Sequence, residues 1–248
     1  MTHKHGLGNK GLARELTPSS SLRLGIVLAP TPSALFAVRD DATGSYVGVT
    51  VDLGGALAQQ LGVPLEIHPF MNSGACTTAL ESGTIDVTFL PVDDERRGRI
   101  SFGPSYYNIQ STYLVHAASN IQSLADVDRE EVRVVGVADT TTIRSATRKL
   151  KATTRKAVES IAEAIDLLKR GQADALALSR EAFRTILPSL PGAYVLDGGF
   201  QVTGIAVAVQ RGKPVALSYV SSFIEEAKRS GLVRRVLNDA GFPDEPIA

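Results

Sequence analysis

An α/β protein with mostly parallel sheets is predicted by two features of the chain. Short apolar segments of strand character alternate with segments whose apolar residues recur at helical spacing. A helix end, a glycine, two residues, an aspartate and a strand also occur together twice, as TALESGTIDVTFL (78–90) and DLLKRGQADALAL (166–178). Gly83 and Asp86 in the first copy correspond to Gly171 and Asp174 in the second. The repetition fits two lobes of similar build, and equally the recurrence of a common α/β turn.

Residues 1–21 are polar and basic and read as a flexible tail. GLGNKG at 6–11 matches G-x-G-x-x-G, but no strand precedes it, so a dinucleotide loop is not expected there. LRLGIVL (22–28) reads as the first strand, ended by the proline-rich APTPS (29–33). In YVGVTVDLGGALAQQLGV a strand runs into a helix with Asp52 as N-cap. Leu53, Ala56, Leu57 and Leu61 form its apolar stripe and Gly62 its stop. PLEIHPF is the next strand. RVVGVADTTTIRSATRKL gives a strand at 133–138, then Asp139 and three threonines opening a helix. Ser160 and Glu163 have capping-box spacing at the start of another helix. TGIAVAV (203–209) is a late strand, Pro214 opens a helix, and Gly231 divides the C-terminal amphipathic stretch in two.

Composition narrows the function classes. With 26 basic and 26 acidic side chains there is no net pull towards nucleic acid or anionic membrane. No apolar run approaches the ~20 residues of a membrane span, and the opening stretch lacks a signal-peptide core, so neither membrane insertion nor an export signal is expected from this chain. Cys76 is the sole cysteine and lies on an apolar helix face, where it reads as a buried small hydrophobe. His3, His5, His68 and His116 lack zinc-like spacing, and no nucleophile elbow or Walker loop occurs, so neither a metal nor a cofactor is predicted. DTTTIRS has two readings. Threonine hydroxyls with first-turn N–H groups suit an anion, and one of the threonines also suits plain N-capping.

These blocks resemble the polar amino-acid-binding family of periplasmic solute-binding proteins. The resemblance is carried by LRLGIV, YVGVTVDLGGALAQQLGV, ALESGTIDVTFLPVDDERRGRISFGPSYY, and RVVGVADTTTIRSA with DLLKRGQADALAL. It implies the two-lobed type II periplasmic-binding-protein fold, each lobe a mostly parallel sheet flanked by helices, with two hinge crossings. Lobe 1 would comprise 22–114 and 208–248, and lobe 2 would comprise 117–205. In such proteins the arginine six residues before the phenylalanine of the F-S-x-P-Y turn grips the ligand's α-carboxylate. Counting back from Phe102 reaches Arg96, leaving Arg97 and Arg99 as surface charges. A planar guanidinium can hold a carboxylate through two parallel bonds. The other reading of Arg96 is an ion pair with Asp93 or Asp94.

In the second lobe the family's G-T-T at a helix start matches Thr140, Thr141 and Thr142, so Thr141 and Thr142 would complete the clamp. Other positions depart from the pattern. Asp93 replaces a threonine, Phe89 and Pro91 replace small hydroxyl residues, and Pro30 stands where an aromatic covers the ligand. Ser179 stands where an acid would neutralise an α-ammonium. Two ligand classes follow: a carboxylate lacking an α-amine, or a cationic amino compound whose charge is taken by Asp93 or Asp94. The resemblance implies a monomeric, periplasmic, non-enzymatic receptor for a small carboxylate, partnered with an ABC permease. Two alternatives remain. One is a cyclohexadienyl-dehydratase-like lyase, although Ala182 rather than Glu181 stands where its acid belongs. The other is a stand-alone, cytosolic solute sensor. Arg96→Ala should abolish binding and leave unfolding nearly unchanged.

Overall fold

The computed structural model describes residues 4–28, 33–243 and 245–248. The chain forms two compact units, Met1–Asn108 with Gly204–Ala248, and Ile109–Thr203.

Unit 1 opens with α1 (Lys4–Leu16), not a tail. Leu16 is fully buried, and Glu15 Oε2 accepts from the N–H groups of Val215 (2.8 Å) and Ala216 (3.0 Å). Those N–H groups belong to the first turn of a later helix, so the carboxylate caps it and meets its positive end. Docking against that helix outweighs the low helix propensity of glycines 6, 8 and 11. GLGNKG therefore lies inside a helix. Next come β1 (Leu22–Val27), a small hairpin of β2 (Val38–Arg39) and β3 (Tyr46–Val47), α2 (Val49–Leu61) and β4 (Leu65–Phe70). The N-cap of α2 is Gly48, and Asp52 sits in its first turn. Gly62 ends the helix in the left-handed conformation. Then follow α3 (Ser73–Glu81), β5 (Val87–Pro91), α4 (Asp94–Arg99) and the start of β6 (Ile100–His116).

β6 carries the chain into unit 2. There β7 (Arg133–Val137), α5 (Thr141–Lys149), β8 (Thr154–Val158), α6 (Ile161–Lys169), β9 (Ala175–Ser179), α7 (Phe183–Ile186) and β10 (Ala193–Val195) follow in turn. Ser160 Oγ accepts from Glu163 N–H, but the Glu163 carboxylate takes the N–H of Glu159, so only half of the capping box forms. β11 (Gln201–Gln210) returns to unit 1, where α8 (Pro214–Arg229) and α9 (Leu232–Asp239) meet at Gly231. Among the described residues, no helix is long and apolar enough to cross a membrane.

The two units repeat one plan. In unit 1 the order is β4-β1-β5-β11, with β1 parallel to β4 and β5, and β11 antiparallel to β5. In unit 2 the order β8-β7-β9-β6 has β7 parallel to β8 and β9, and β6 antiparallel to β9. Gly83 and Gly171 take left-handed φ of 76° and 63°, which lets each chain turn out of its helix and start the next strand four residues later. Each repeated aspartate then grips the arginine that opens or nearly opens its unit's first parallel strand. Asp86 accepts from Arg23 N–H (3.0 Å), Nε (2.9 Å) and Nη2 (2.6 Å). Asp174 accepts from Arg133 N–H (2.8 Å), Nε (2.9 Å) and Nη2 (2.8 Å). The repeat is thus an ion-pair latch between the first and third strands of each unit.

Strand periodicity builds the unit 2 core on both sheet faces. Leu114, Val135, Val137, Leu176 and Leu178 pack on one side with Ile161, Ala164 and Phe183. Their neighbours Tyr113, Val115, Val134, Ala175 and Ala177 pack on the other with Ala146 and Leu150 of the α5 side.

Candidate functional site

The residues singled out from the sequence fall at strand and helix ends in both units. In unit 1, β5 ends at Pro91 and α4 begins three residues later, at Asp94. Asp93 is the N-cap of α4, its Oδ1 accepting from Arg96 N–H at 2.8 Å. That cap turns Arg96 inward. Its side chain is 2% exposed, whereas Arg97 is exposed and Arg99 pairs with Glu81 at 2.6 Å. Arg96 Nη1 donates to the carbonyl of Pro91 (3.0 Å) and Nη2 to Ser73 Oγ (2.6 Å). Asp93 Oδ2 lies 3.7 Å from Nη1, an ion-pair distance longer than a hydrogen bond. The Asp93 ion pair and the inward guanidinium therefore coexist.

Ser73 escaped the sequence reading. It opens α3, which Asn72 caps by accepting from Ala75 N–H at 2.8 Å. Ser73 Oγ accepts from Arg96, so its own hydroxyl hydrogen remains a donor. The contact joins residues on separate elements, and no local spacing signals it.

Phe89 is 1% exposed and meets Tyr106 edge-on, with ring centroids 5.6 Å apart. It is core packing in unit 1. Cys76 is buried, with Sγ 3.1 Å from Thr88 Oγ1. Burial drives its thiol pKa up to about 11, against smaller opposing effects of Thr88 and the Arg96 charge. Pro30 lies outside the described residues.

In unit 2 the parallel strands β7 and β9 end on the same side of the sheet. Asp139, with φ 57°, turns the chain after β7 into α5. Thr140 is the N-cap, its Oγ1 accepting from Ile143 N–H (3.3 Å) and donating to Val137 O (2.8 Å). Thr141 and Thr142 are therefore the first two helical residues, whose N–H groups have no partner within the helix. Both side chains are buried. Thr142 Oγ1 lies 3.4 Å from Ser111 Oγ, and Ser111 is the register partner of Ser179. Thr142, Ser111 and Ser179 thus group hydroxyls beside a helix N-terminus. Ser111 was also missed by the sequence reading, because strand pairing over a long separation brings it there. Glu181, 8% exposed, follows two residues after Ser179.

Each half can hold an anion in a distinct way. Unit 1 offers a guanidinium fixed by a carbonyl and a hydroxyl. Unit 2 offers hydroxyls and backbone N–H groups at the positive end of α5. Among the described residues, no three His, Cys, Asp or Glu side chains group as metal ligands.

Comparison with known proteins places this geometry in a lineage. A family model, bacterial extracellular solute-binding proteins, family 3, matches residues 26–239. The chain is 22% identical over 205 residues to the ABC transporter glutamine-binding protein GlnH of Bacillus subtilis, covering 81% of this chain and 75% of that protein. It is 26% identical to a glutamine-binding protein of Geobacillus stearothermophilus, over 67% of this chain and 64% of that one. Among solved structures, AbpA, an amino-acid ABC transporter substrate-binding protein of Streptococcus pneumoniae bound to L-arginine, aligns with a TM-score of 0.77 at 22% identity. That alignment covers 92% of this chain and 97% of AbpA. The ancestral amino-acid-binding protein AncCDT-1, a precursor of cyclohexadienyl dehydratase, aligns with a TM-score of 0.76 at 25% identity over 91% and 97%. With the family model spanning both units, the chain belongs to the bacterial extracellular solute-binding proteins, family 3, and carries the type II periplasmic-binding-protein fold.

Proposed function

We propose that the protein is a non-enzymatic receptor for a small carboxylate-bearing solute, acting outside the cytoplasmic membrane with an ABC permease. The guanidinium of Arg96 contacts the ligand's carboxylate, and the hydroxyls and helix N–H groups at Thr141 and Thr142 are the anion-binding groups of unit 2. The observation that carries this reading is the burial of Arg96 with its guanidinium fixed by Ser73 and Pro91. A cation already ordered by its neighbours loses little freedom when an anion arrives.

Engagement of Asp93 by Arg96 supports the first of the two ligand classes, an acid without an α-amine. Ser179 at the end of β9 adds to this, because a buried ammonium beside a neutral hydroxyl would be costly. A thermal-shift screen pairing each amino acid with its deaminated counterpart, such as glutamate with glutarate, tests the proposal. A ligand at a hundred times its Kd adds about 2.7 kcal/mol to the folded state. A rise with the deaminated acid and none with its amino acid is the expected result. No rise with any member of either class overturns the proposal.

AncCDT-1 among the similar structures, together with the burial of Glu181, motivates a check for lyase activity. Prephenate and arogenate should both be recovered unchanged after incubation with the protein.

A further inference from the structure

Unit 2 contains a cavity of about 560 Å³ that the proposed function does not use. Its apolar wall includes Leu114, Leu168, Ala173, Leu190, Pro191 and Ala193. His116, Lys169 and Asp174 supply charged or titratable groups around it. The antiparallel register pairs Ser111 with Ser179 at one end of β6 and Val115 with Ala175 at the other. Leu114 and His116 therefore lie about 10 to 17 Å along the strand from Ser111. The cavity opens at the opposite end of the unit 2 sheet from Thr142 and Ser179.

Its polar groups are sorted by their partners. Asp174 is engaged three times by Arg133, which offsets its negative charge. His116 Nδ1 accepts from Ala118 N–H at 3.2 Å, so the neutral ring carries its proton on Nε2. A side chain at Gly192 would come within 3.3 Å of that Nε2, so the glycine keeps this face of the ring open. Ser119 and Ser189 donate their hydroxyl hydrogens to the carbonyls of His116 (2.6 Å) and Ile186 (2.8 Å). Among the described residues that line the cavity, the remaining side-chain donors are the Lys169 ammonium and His116 Nε2–H. Both favour an anion.

We propose that this cavity is a second binding site, for a small amphipathic acid with an apolar body and one carboxylate. The body lies on the leucines, Ala173 and Pro191, and the carboxylate meets Lys169 and His116. The volume lies within the range of small-molecule sites. The site is independent of Arg96, so its failure would leave the proposed receptor function untouched.

The test is an NMR titration of the full chain with 4-phenylbutyrate and with its uncharged counterpart, 4-phenylbutan-1-ol. Saturable shifts confined to Leu114–Ser119, Lys169–Asp174 and Ser189–Ala193 are expected, with the acid binding about tenfold more tightly than the alcohol. Lys169→Glu, an exposed change, should remove that preference and leave the alcohol unaffected. Ser189→Trp, which fills the cavity rim, should weaken both probes. Equal affinity of acid and alcohol, shifts centred outside these segments, or unchanged acid binding in Lys169→Glu would each overturn the proposal.

Discussion

Three arginines in DERRGR have three surroundings. Arg97 is exposed, Arg99 pairs with Glu81, and Arg96 is buried among Ser73, Pro91 and Asp93. Because Asp93 is itself buried, Arg96→Ala removes the cation opposite that carboxylate and should lower stability by about 3 kcal/mol. This replaces the expectation of nearly unchanged unfolding drawn from the sequence; chemical denaturation of the variant measures it. Cys76 offers a second check on unit 1. With its thiol held near 11, almost no thiolate forms at pH 8, so the native protein should not react with iodoacetamide until it unfolds. Rapid native-state labelling would contradict the packing around α3. Arg96 was singled out through the family resemblance, which places an arginine six residues before Phe102. Ser73 and Ser111 were not, because each reaches its partner only through tertiary folding.

At the scale of elements, the latch between first and third strands explains why one motif appears twice. The aspartate of unit 1 has 4% of its side chain exposed and that of unit 2 has 22%, so the two pairs should differ in strength. Asp86→Ala should cost about 3 kcal/mol or more, and Asp174→Ala about 1 kcal/mol, both read from denaturant unfolding. Burial opposes ionisation of Asp174, but the Arg133 side chain and backbone N–H outweigh it and hold the carboxyl below its ordinary value. The unfolded chain therefore takes up this proton first on acidification. The latch's contribution is present above about pH 4 and is lost as pH falls further, so Asp174→Asn should flatten the acid limb of the stability profile. The motif was readable since its glycine, aspartate and following strand are contiguous. The arginine partners were not, because strand order brings them together. Helix α1 was also hidden: its glycines spoke against a helix, and its fixing contact from Glu15 lies on a distant segment.

For the whole molecule, the chain runs out of unit 1 along β6 and back along β11, and both units carry the same four-strand plan. The proposed receptor holds the ligand's carboxylate through Arg96 of unit 1. Hydrogen exchange with and without ligand should then show protection in the two segments that surround that side chain, 72–76 and 91–97. Unchanged exchange in both segments would contradict the role proposed for Arg96. The fold class was legible from alternation and resemblance, whereas the ligand's identity was not, because Asp93, Ser179 and Phe89 depart from the residues the resemblance leads one to expect.

The most direct measurement is calorimetric titration of wild-type protein and Arg96→Lys with the acid that gives the largest shift in the thermal screen. Lysine keeps the charge opposite Asp93 and removes the two-pronged fork. A loss of at least about tenfold in affinity, with the variant still cooperatively folded, is predicted. Unchanged affinity in a folded Arg96→Lys protein would show that the guanidinium does not hold the ligand.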